Sequence, residues 1–400
     1  MAQQFTETEW RQIEAHLDAA LAQDPEAYGL PARRDGSVVL MSWNIRKFGA
    51  LIDADGPKKS PGATRMIERI AAQADLLSIQ EQQDDTGALD ALVASLRGAG
   101  QPVDVIFSDV TGRSPGHKGM SERFVFIYRS DRVRLGRLAS DLSYDRTAIA
   151  ANMNAALQAS FDTSVPGQDD PGFMDRLISW AQDSMRMVGA QFTSFVQFIR
   201  SPYLVEFIID GPDGRYEIYA VNAHLVSGKK NEREREFFAL LEWLLLDSRK
   251  TVSERGKIIM IMGDLNLDFE SSNDRRRIGI ENYVTGINAQ RRVKAKVNFP
   301  FLDSDLRTNA RRTQTYDHIA WLAEDTRLPR GRHNGLAGTL GPDQFDFGMF
   351  DFTQLFVDAG PGRLPDGTPD YARFAHDFSD HMPIWVRLPV PSDGQERFEI

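Results

Sequence analysis

Cysteine is absent from this 400-residue chain. Disulfide bonds, thiolate zinc sites and cysteine nucleophiles are therefore excluded, and we expect a cytoplasmic protein. Long hydrophobic runs are absent as well, because no segment approaches the roughly 18 consecutive apolar residues that cross a membrane. The first 30 residues also lack the basic and apolar regions of a secretory signal. The sequence predicts no stable insertion into a membrane.

Positively charged residues are fewer than negatively charged ones. The chain has 47 lysines and arginines and 57 aspartates and glutamates, which gives a net charge of −10. This balance argues against broad electrostatic adhesion to nucleic acid or to anionic membranes. The segment 271–315 is an exception, with ten basic residues against four acidic ones. Such a segment is typical of a solvated loop or of a footprint on a phosphate backbone, and both interpretations remain open.

Short β-type runs recur along the chain and alternate with helical patterns at 64–74, 86–100 and 230–250. The strand-like runs are 37–43, 75–80, 104–110, 123–129, 203–210, 216–225, 257–266, 315–322 and 382–389. Several are apolar on both faces, which is typical of strands inside a layered core. The pattern predicts an α/β fold in which two mixed β-sheets pack face to face with helices outside.

The predicted organisation is one catalytic domain, 37–390, preceded by a helical lead-in, 1–36. In the lead-in, Trp10, Ile13, Leu17 and Leu21 recur at helical spacing after a cap at Thr6 or Thr8. Two segments interrupt the domain: a helical insertion at about 147–199 and a long loop insertion at about 331–378. The apolar face of the helical insertion either packs on the domain or binds a protein partner or a membrane surface.

Residues with useful chemistry fall repeatedly at the ends of the predicted strands. They are Asn44, Glu81, Glu122, His224, Asp264, Asn266, Asp317, Asp380 and His381. Each one alone is more typical of a turn or of a structural position. Because so many strand ends carry such side chains, we interpret them together as one site on a rigid sheet.

The residue types point to phosphoester hydrolysis. Asn44, Glu81 and Asp380 offer only oxygen ligands, which favour Mg²⁺, with Mn²⁺ as a possible substitute. Two histidines suit acid/base work near neutral pH. Asp264 is placed to take a proton from water, and Asn266 is able to donate to an anionic oxygen.

Seven motifs, in chain order, resemble those of the endonuclease/exonuclease/phosphatase superfamily, and most of all its deoxyribonuclease-I-like branch. They are "SWNIRKFG", "IQE", "SERFVFIYRSDRV", "NAHL", "GDLN", "TYDHI" and "SDHMP". The resemblance runs from about Val38 to Leu388. It implies a four-layered α/β sandwich and hydrolysis by in-line attack of an activated water, without a covalent intermediate.

The resemblance also implies roles at the metal and at the phosphate. Glu81 would be the principal metal ligand, with Asn44 and Asp380 beside it. His224 and His381 would flank the scissile phosphate.

Four further roles follow from the same motifs. Glu122 would orient His224, and Asp317 would orient His381. Asp264 and Asn266 would position the attacking water and stabilise the pentavalent phosphorus. The predicted contacts to substrate phosphates are Arg46, Arg200, Thr313 and Thr315.

Two departures from the pancreatic-type nucleases concern the substrate. Gln83 stands where those enzymes place a minor-groove arginine, and Met120 where they place a groove-stacking tyrosine. We therefore expect this chain to share the hydrolytic chemistry of those enzymes more closely than their binding to the minor groove of duplex DNA. The favoured function is a Mg²⁺-dependent endonuclease acting on DNA; the alternative is a phosphatase or phosphodiesterase for inositol phosphates or membrane-lipid phosphate esters. A non-catalytic binding protein is the third possibility.

Overall fold

The computed structural model describes residues 3–53, 56–112, 121–142, 198–212, 214–227, 258–267, 296–301, 304–323, 331–332 and 344–391, with isolated helical positions between 233 and 282. The predicted helical insertion lies outside these residues except for its last two positions. Residues 271–295 of the basic segment also lie outside them, apart from residue 282.

The first sheet has the strand order β13-β14-β15-β1-β4-β6-β5 among the described residues. Its strands are β1 (Ser37–Phe48), β4 (Leu76–Gln82), β5 (Val103–Phe107), β6 (Arg123–Arg129), β13 (Gly331–Arg332), β14 (Gln344–Met349) and β15 (Ile384–Pro389). β1 runs parallel to β4 and antiparallel to β15, so the sheet is mixed.

The second sheet has the order β11-β12-β10-β9-β8-β7. Its strands are β7 (Val133–Asp141), β8 (Tyr203–Gly211), β9 (Gly214–His224), β10 (Ile258–Asp264), β11 (Lys296–Asn298) and β12 (Asp317–Ala323). β9 and β10 are parallel, whereas β10 and β12 are antiparallel. A separate hairpin pairs β2 (Ile52–Asp53) with β3 (Gly56–Pro57).

The two sheets pack face to face through one apolar core. On β1, Val38 and Leu40 join this core, whereas Val39 and Met41 join a second core on the outer face. This alternation follows from the two-residue period of a strand, and it explains why β1 is apolar on both faces.

Helices cover the outer face of the first sheet. They are α1 (Glu7–Gln23), α2 (Pro61–Ala71), α3 (Gly87–Gly98), α4 (Phe352–Asp358) and α5 (Tyr371–Asp377), with a short 3₁₀ helix at Ala27–Gly29. α1 begins at Thr6, whose hydroxyl forms a capping box with Glu9, and it buries Trp10, Ile13 and Leu17. The predicted lead-in helix is therefore confirmed, with Thr6 as its cap.

The outer face of the second sheet is also covered. The helical residues Phe237, Leu240, Leu241 and Leu244 share a core with Val221 and Ile261 of β9 and β10. The order of layers is helix, sheet, sheet, helix, so the predicted four-layered α/β sandwich is confirmed. No helix in the described part of the chain is long and apolar enough to span a membrane.

The prediction of a long loop at 331–378 is wrong for its described part. This part contains β13, β14, α4 and α5, and β14 pairs with β15 inside the first sheet. Phe345 and Phe347 of β14 enter the core between the sheets, where Trp321 and Phe301 meet them edge to face. The glycines and prolines that indicated a loop mark the turns between these short elements.

Candidate active site

The candidate site lies where strands of both sheets end at one side of the sandwich. In the second sheet, Asp264 of β10 is in register with His224 of β9 and with Asp317 of β12. In the first sheet, Asn44 of β1 is in register with Gln80 of β4, directly before Glu81. The carboxyl ends of parallel strands meet at one edge, and antiparallel neighbours contribute their first residues there.

Local backbone geometry aims these side chains. Glu81 and Asn266 have φ values of 59° and 52°, which bend the chain within the last residues of β4 and directly after β10. Gly263 has φ of 149°, and a Cβ at this position would overlap the carbonyl oxygen of Ala223. Only glycine therefore allows β10 to approach β9 this closely before Asp264.

Two histidine–carboxylate pairs converge on Asp264. His224 Nδ1 lies 3.1 Å from Glu122 Oε2, and its Nε2 lies 3.5 Å from Asp264 Oδ2. His381 Nδ1 lies 2.9 Å from Asp317 Oδ2, and its Nε2 lies 3.6 Å from the same Asp264 oxygen. Each imidazole is therefore held from behind by one acid while its other nitrogen faces a shared carboxylate.

The Glu122 pair is buried and is completed by Arg200, which forms an ion pair with Glu122. Glu122 Oε2 also accepts a hydrogen bond of 2.9 Å from the Glu81 backbone N–H. Burial alone would raise the pKa of Glu122, but His224 and Arg200 outweigh it, and the pKa is lowered. Burial opposes the charged form of His224, yet Glu122 and Asp264 prevail over burial and Arg200 and raise its pKa.

The second pair is supported by Thr308. Its hydroxyl donates a 2.7 Å hydrogen bond to Asp317 Oδ2 and accepts from the Asp317 backbone N–H. Burial would lower the pKa of His381, but the carboxylates of Asp317, Asp264 and Asp380 raise it well above the usual value of 6.5. These carboxylates therefore favour the protonated form of His381.

Two of the three predicted metal ligands have a buried oxygen atom without a hydrogen-bond partner in the part of the chain that the structure describes. The Asn44 amide donates to Asp264 Oδ2 at 3.1 Å and to Glu81 Oε1 at 3.4 Å. Its Oδ1 is buried and has no hydrogen-bond partner among the described residues, and the same holds for Asp380 Oδ1. Buried oxygens without partners fit a hard divalent cation, so Asn44 and Asp380 suit Mg²⁺ or Mn²⁺. The two oxygens of Glu81 accept from the Asn44 amide and from the Lys47 backbone N–H, and a carboxylate is itself a hard ligand.

Asp264, Asp317 and His381 also bring one ligand-type atom each within 4.8 Å of one another. Asp317 Oδ2 is already shared by His381 and Thr308, however. Its Oδ1 is buried without a hydrogen-bond partner among the described residues, so this group is a second candidate for holding a cation.

The structure separates the predicted phosphate-binding residues. Arg46 is half-buried in a cleft beside the site, with Nη1 3.7 Å from Asp380 Oδ2. Thr313 is exposed in a turn, where its hydroxyl accepts from the Asn309 amide. Arg200 and Thr315 do not face the substrate side: Arg200 is buried behind Glu122, and Thr315 is 1 % exposed and donates to the Leu306 carbonyl.

The burial of Arg200 beside Glu122 has an electrostatic cause. An unpaired buried carboxylate is costly, so a cation beside Glu122 stabilises the folded chain.

Asn266 also differs in part from its predicted role. Its backbone N–H donates to Asp264 Oδ1 at 2.9 Å and its side-chain amide donates to the Leu225 carbonyl, so it holds Asp264 in place.

Sequence reasoning missed Thr308, Ser379 and Lys59. The Ser379 hydroxyl donates to the Asn44 carbonyl at 2.8 Å and accepts from the His381 N–H, which ties β1 to the start of β15. Lys59 directly precedes the Ser60 cap of α2, and its ammonium donates to the Phe378 carbonyl. Ser379 was detectable beside "DH" in the sequence, whereas Lys59 carried no sequence signal.

The cleft beside Asp380 and His381 has a volume of about 1040 Å³. Its lining comes from the end of β1, the segment before α2, the turn at 309–316 and helix α5. This places a large open space directly next to the candidate metal ligands.

No family model and no curated protein matches the sequence. Solved structures do resemble the chain. Truncated TDP2 from Caenorhabditis elegans is 14 % identical with a TM-score of 0.41, and covers 88 % of this chain and 97 % of its own. The catalytic domain of human Nocturnin, with bound sulfate, is 11 % identical with a TM-score of 0.43, covering 89 % and 95 %.

A third structure comes from Bacteroides thetaiotaomicron. It is 14 % identical, with a TM-score of 0.42 and coverage of 88 % and 97 %, and it is named an endonuclease/exonuclease/phosphatase family protein. The name of this third structure is that of the superfamily whose motifs the sequence resembles.

Proposed function

We propose that this chain is a metal-dependent phosphoester hydrolase of the endonuclease/exonuclease/phosphatase superfamily, and that it hydrolyses phosphodiester bonds in DNA with Mg²⁺. One observation carries the proposal. Two acid-held histidines, His224 and His381, place their Nε2 atoms 3.5 Å and 3.6 Å from one carboxylate oxygen of Asp264. This arrangement combines a base with two imidazole hydrogen-bond donors around one point.

The reaction follows from these positions. Asp264 takes a proton from water as the water oxygen attacks phosphorus, and Asn266 keeps the Asp264 carboxylate aimed through its backbone N–H. Although burial opposes the charge, the carboxylates around His224 and His381 raise the pKa of both rings and so favour their protonated forms. The rings therefore donate hydrogen bonds to phosphate oxygens, and one of them gives its proton to the leaving oxygen as the phosphorus–oxygen bond breaks.

Each histidine depends on the acid behind it. Glu122 and Asp317 bind the Nδ1 atoms, which fixes each ring and stabilises its cationic form. Arg200 keeps Glu122 ionised, and Thr308 keeps Asp317 oriented. These two layers of support hold the donors before substrate arrives.

Asn44, Glu81 and Asp380 would hold the divalent cation. When bound, it supplies charge stabilisation to the phosphate and to the developing charge on the leaving oxygen. Arg46 adds a fixed positive charge beside Asp380.

The assignment to DNA is supported by the charge around the site. Arg46 and neighbouring lysines line the adjoining cleft, although the chain as a whole is acidic. Local positive charge beside a phosphodiester site favours a polyanionic substrate.

Nicking of supercoiled plasmid tests the proposal. We expect Mg²⁺ to support nicking and EDTA to abolish it. Glu81→Ala should lose the activity through the metal, and His224→Ala through the donor, each with an unchanged circular dichroism spectrum. A folded wild-type protein that binds Mg²⁺ but nicks no plasmid, single-stranded or RNA substrate would contradict the proposal.

The alternative substrate is a small phosphate ester, such as an inositol phosphate or a lipid headgroup. The observation in its favour is the same cationic cleft, because several adjacent phosphates on one small molecule would satisfy the same charges. Release of inorganic phosphate from inositol phosphates or lipid vesicles, without plasmid nicking, would select this alternative. A non-catalytic protein would show no turnover in either assay.

A further inference from the structure

The cleft beside the active site concentrates positive charge. Its lining has five lysine and arginine side chains against one carboxylate, that of Asp380. The cations are Arg46, Lys47, Lys58, Lys59 and Arg311. In a chain of net charge −10, such a local excess requires a specific explanation, and low-dielectric walls focus its field.

Most of these cations form no ion pair with a carboxylate among the described residues. Among the described residues, Arg46 has a carboxylate oxygen within 4 Å, at 3.7 Å, and the other four cations have none. Lys58 instead donates to the neutral amide oxygen of Gln83 at 2.7 Å. The charge of the cleft therefore remains available to an anionic ligand.

Aromatic rings accompany the cations. Tyr316 lies next to His381, with ring centroids 6.2 Å apart, and Tyr371 lies under the guanidinium of Arg311 at 5.1 Å. Both tyrosines line the cleft. A cationic groove with aromatic side chains binds single-stranded nucleic acid, because the cations follow the phosphates while bases stack on the rings.

The size of the cleft supports the same class of ligand. Sites for small molecules typically occupy ~300–1,000 Å³, so the volume of about 1040 Å³ exceeds the need of one phosphate ester. Helix α5 and Gln4 form part of its wall, which makes it a recess between elements and not an open face for a duplex.

From these observations we propose that the cleft binds a single-stranded segment of nucleic acid that continues from the phosphate under attack. The proposal rests on the proposed phosphodiesterase function, because it places the scissile phosphate at His381 and Asp380. It assigns Lys58 and Arg311 to phosphates beyond the scissile one, and Tyr316 and Tyr371 to bases. The preferred substrate is accordingly a single strand or a single-stranded end.

Binding in EDTA tests the cleft without catalysis. The full chain is titrated with fluorescein-labelled oligothymidylate, and binding is followed by anisotropy at several salt concentrations. The double variant Lys58→Gln/Arg311→Gln should bind more weakly, and its salt slope should be shallower by about 1.4, at roughly 0.7 for each lost single-strand phosphate contact.

A matched control removes the same charge elsewhere. Arg97 and Arg134 are exposed and pair with Asp104 and Asp210. Arg134 lies opposite Ile208 on β8, toward the end of the second sheet away from His224. The variant Arg97→Gln/Arg134→Gln should bind the oligonucleotide as the wild type does.

Turnover separates this proposal from the proposed function. Bis(p-nitrophenyl) phosphate reports the chemistry of the site, and single-stranded and duplex oligonucleotides of one sequence report the cleft. We expect the ratio of oligonucleotide to small-diester kcat/KM to fall about tenfold or more in the Lys58/Arg311 variant. An inactive protein that still binds the single strand through these residues would refute the function and leave the cleft assignment supported.

Two outcomes would overturn the cleft assignment itself. One is equal binding of the single strand by the wild type and the Lys58/Arg311 variant. The other is tighter binding and faster cleavage of the duplex than of the single strand. If the protein hydrolyses the small diester and either result is obtained, the proposed phosphodiesterase function is supported and the assignment of the cleft to single-stranded nucleic acid is refuted.

Discussion

Replacing Lys59 by Met should stabilise the protein at neutral pH. The Lys59 side chain is partly buried in the cleft, and its pKa is lowered from 10.5 to about 8. Burial is the largest cause, and it outweighs the attraction of Asp377, Asp380 and Glu81. The ammonium therefore costs folding free energy whenever it is protonated in the folded chain.

The sign and the size of this change in the free energy of unfolding follow from the linkage between protonation and folding. A base whose folded pKa is depressed lowers stability below that pKa, and the cost disappears as pH rises from about 8 to 10.5. At 1.36 kcal/mol for each pKa unit the cost would reach about 3 kcal/mol. Water in the cleft screens the charge and the bond to the Phe378 carbonyl is lost, so we expect a gain of about 1–2 kcal/mol.

Urea unfolding in EDTA, at a series of pH values, measures this effect. EDTA keeps a bound cation from adding its own charge near Asp380. The advantage of Lys59→Met over the wild type should be greatest below pH 8 and should vanish above pH 10.5. Lys47→Met is the matched control, because Lys47 is an exposed cation on the same cleft and its replacement should change stability by less than about 0.5 kcal/mol.

Two results would refute the reasoning. If Lys59→Met were less stable than the wild type at pH 7, the neighbouring carboxylates would be shown to outweigh burial. If its advantage were the same at pH 7 and pH 11, the effect would come from packing and not from charge. Retention of a costly cation at this position is what a stability–function compromise predicts.

Three further outcomes are expected. Glu122→Gln should destabilise the chain by about 3–5 kcal/mol, because Arg200 is left buried without its anion. The pKa of Glu122 is lowered, so its contribution to the free energy of unfolding is lost as pH falls below 4.5. The pKa of His224 is raised, so its contribution to the free energy of unfolding is lost as pH rises above 6.5. Urea unfolding should therefore show the largest difference from wild type between these values, and a constant difference would contradict the pairing. Asp264→Asn should lower kcat for the small diester by ~10²-fold or more with an intact circular dichroism spectrum, and near-normal kcat would exclude Asp264 as the base. Gly263→Ala should lower the melting temperature, at a cost of about 1–3 kcal/mol or more for strain against Ala223, whereas Gly98→Ala in helix α3 should not.

The fold was largely predictable because burial imposes a period on the sequence. β1 and β6 coincide closely with apolar runs, since both of their faces are covered. β7 escaped prediction because it is an edge strand whose residues are mostly exposed, so its pattern lacks an apolar face. β14 escaped because its aromatic residues stand among glycines and prolines that indicate turns.

The candidate site was predictable where its residues are adjacent to strand ends. His224 and Asp264 stand at the ends of β9 and β10, and the register of these parallel strands brings the two side chains together. The orientations of Arg200 and Thr315 were not predictable, because a motif does not show in which direction a side chain points. Arg200 satisfies a buried acid, and Thr315 bonds to a nearby carbonyl.

The sequence by itself determined the layered α/β architecture, the order of the strand-end motifs and the residue types of the predicted metal ligands, which offer only oxygen atoms. These properties are local, because they depend on side-chain period and residue type. Only the tertiary structure decided that two histidines share Asp264 and that five cations line one cleft. Lys59 bonds to a carbonyl 319 positions away, and such a contact depends on how the elements pack. Long-range electrostatics is a property of the folded surface, and no local pattern in the chain contains it.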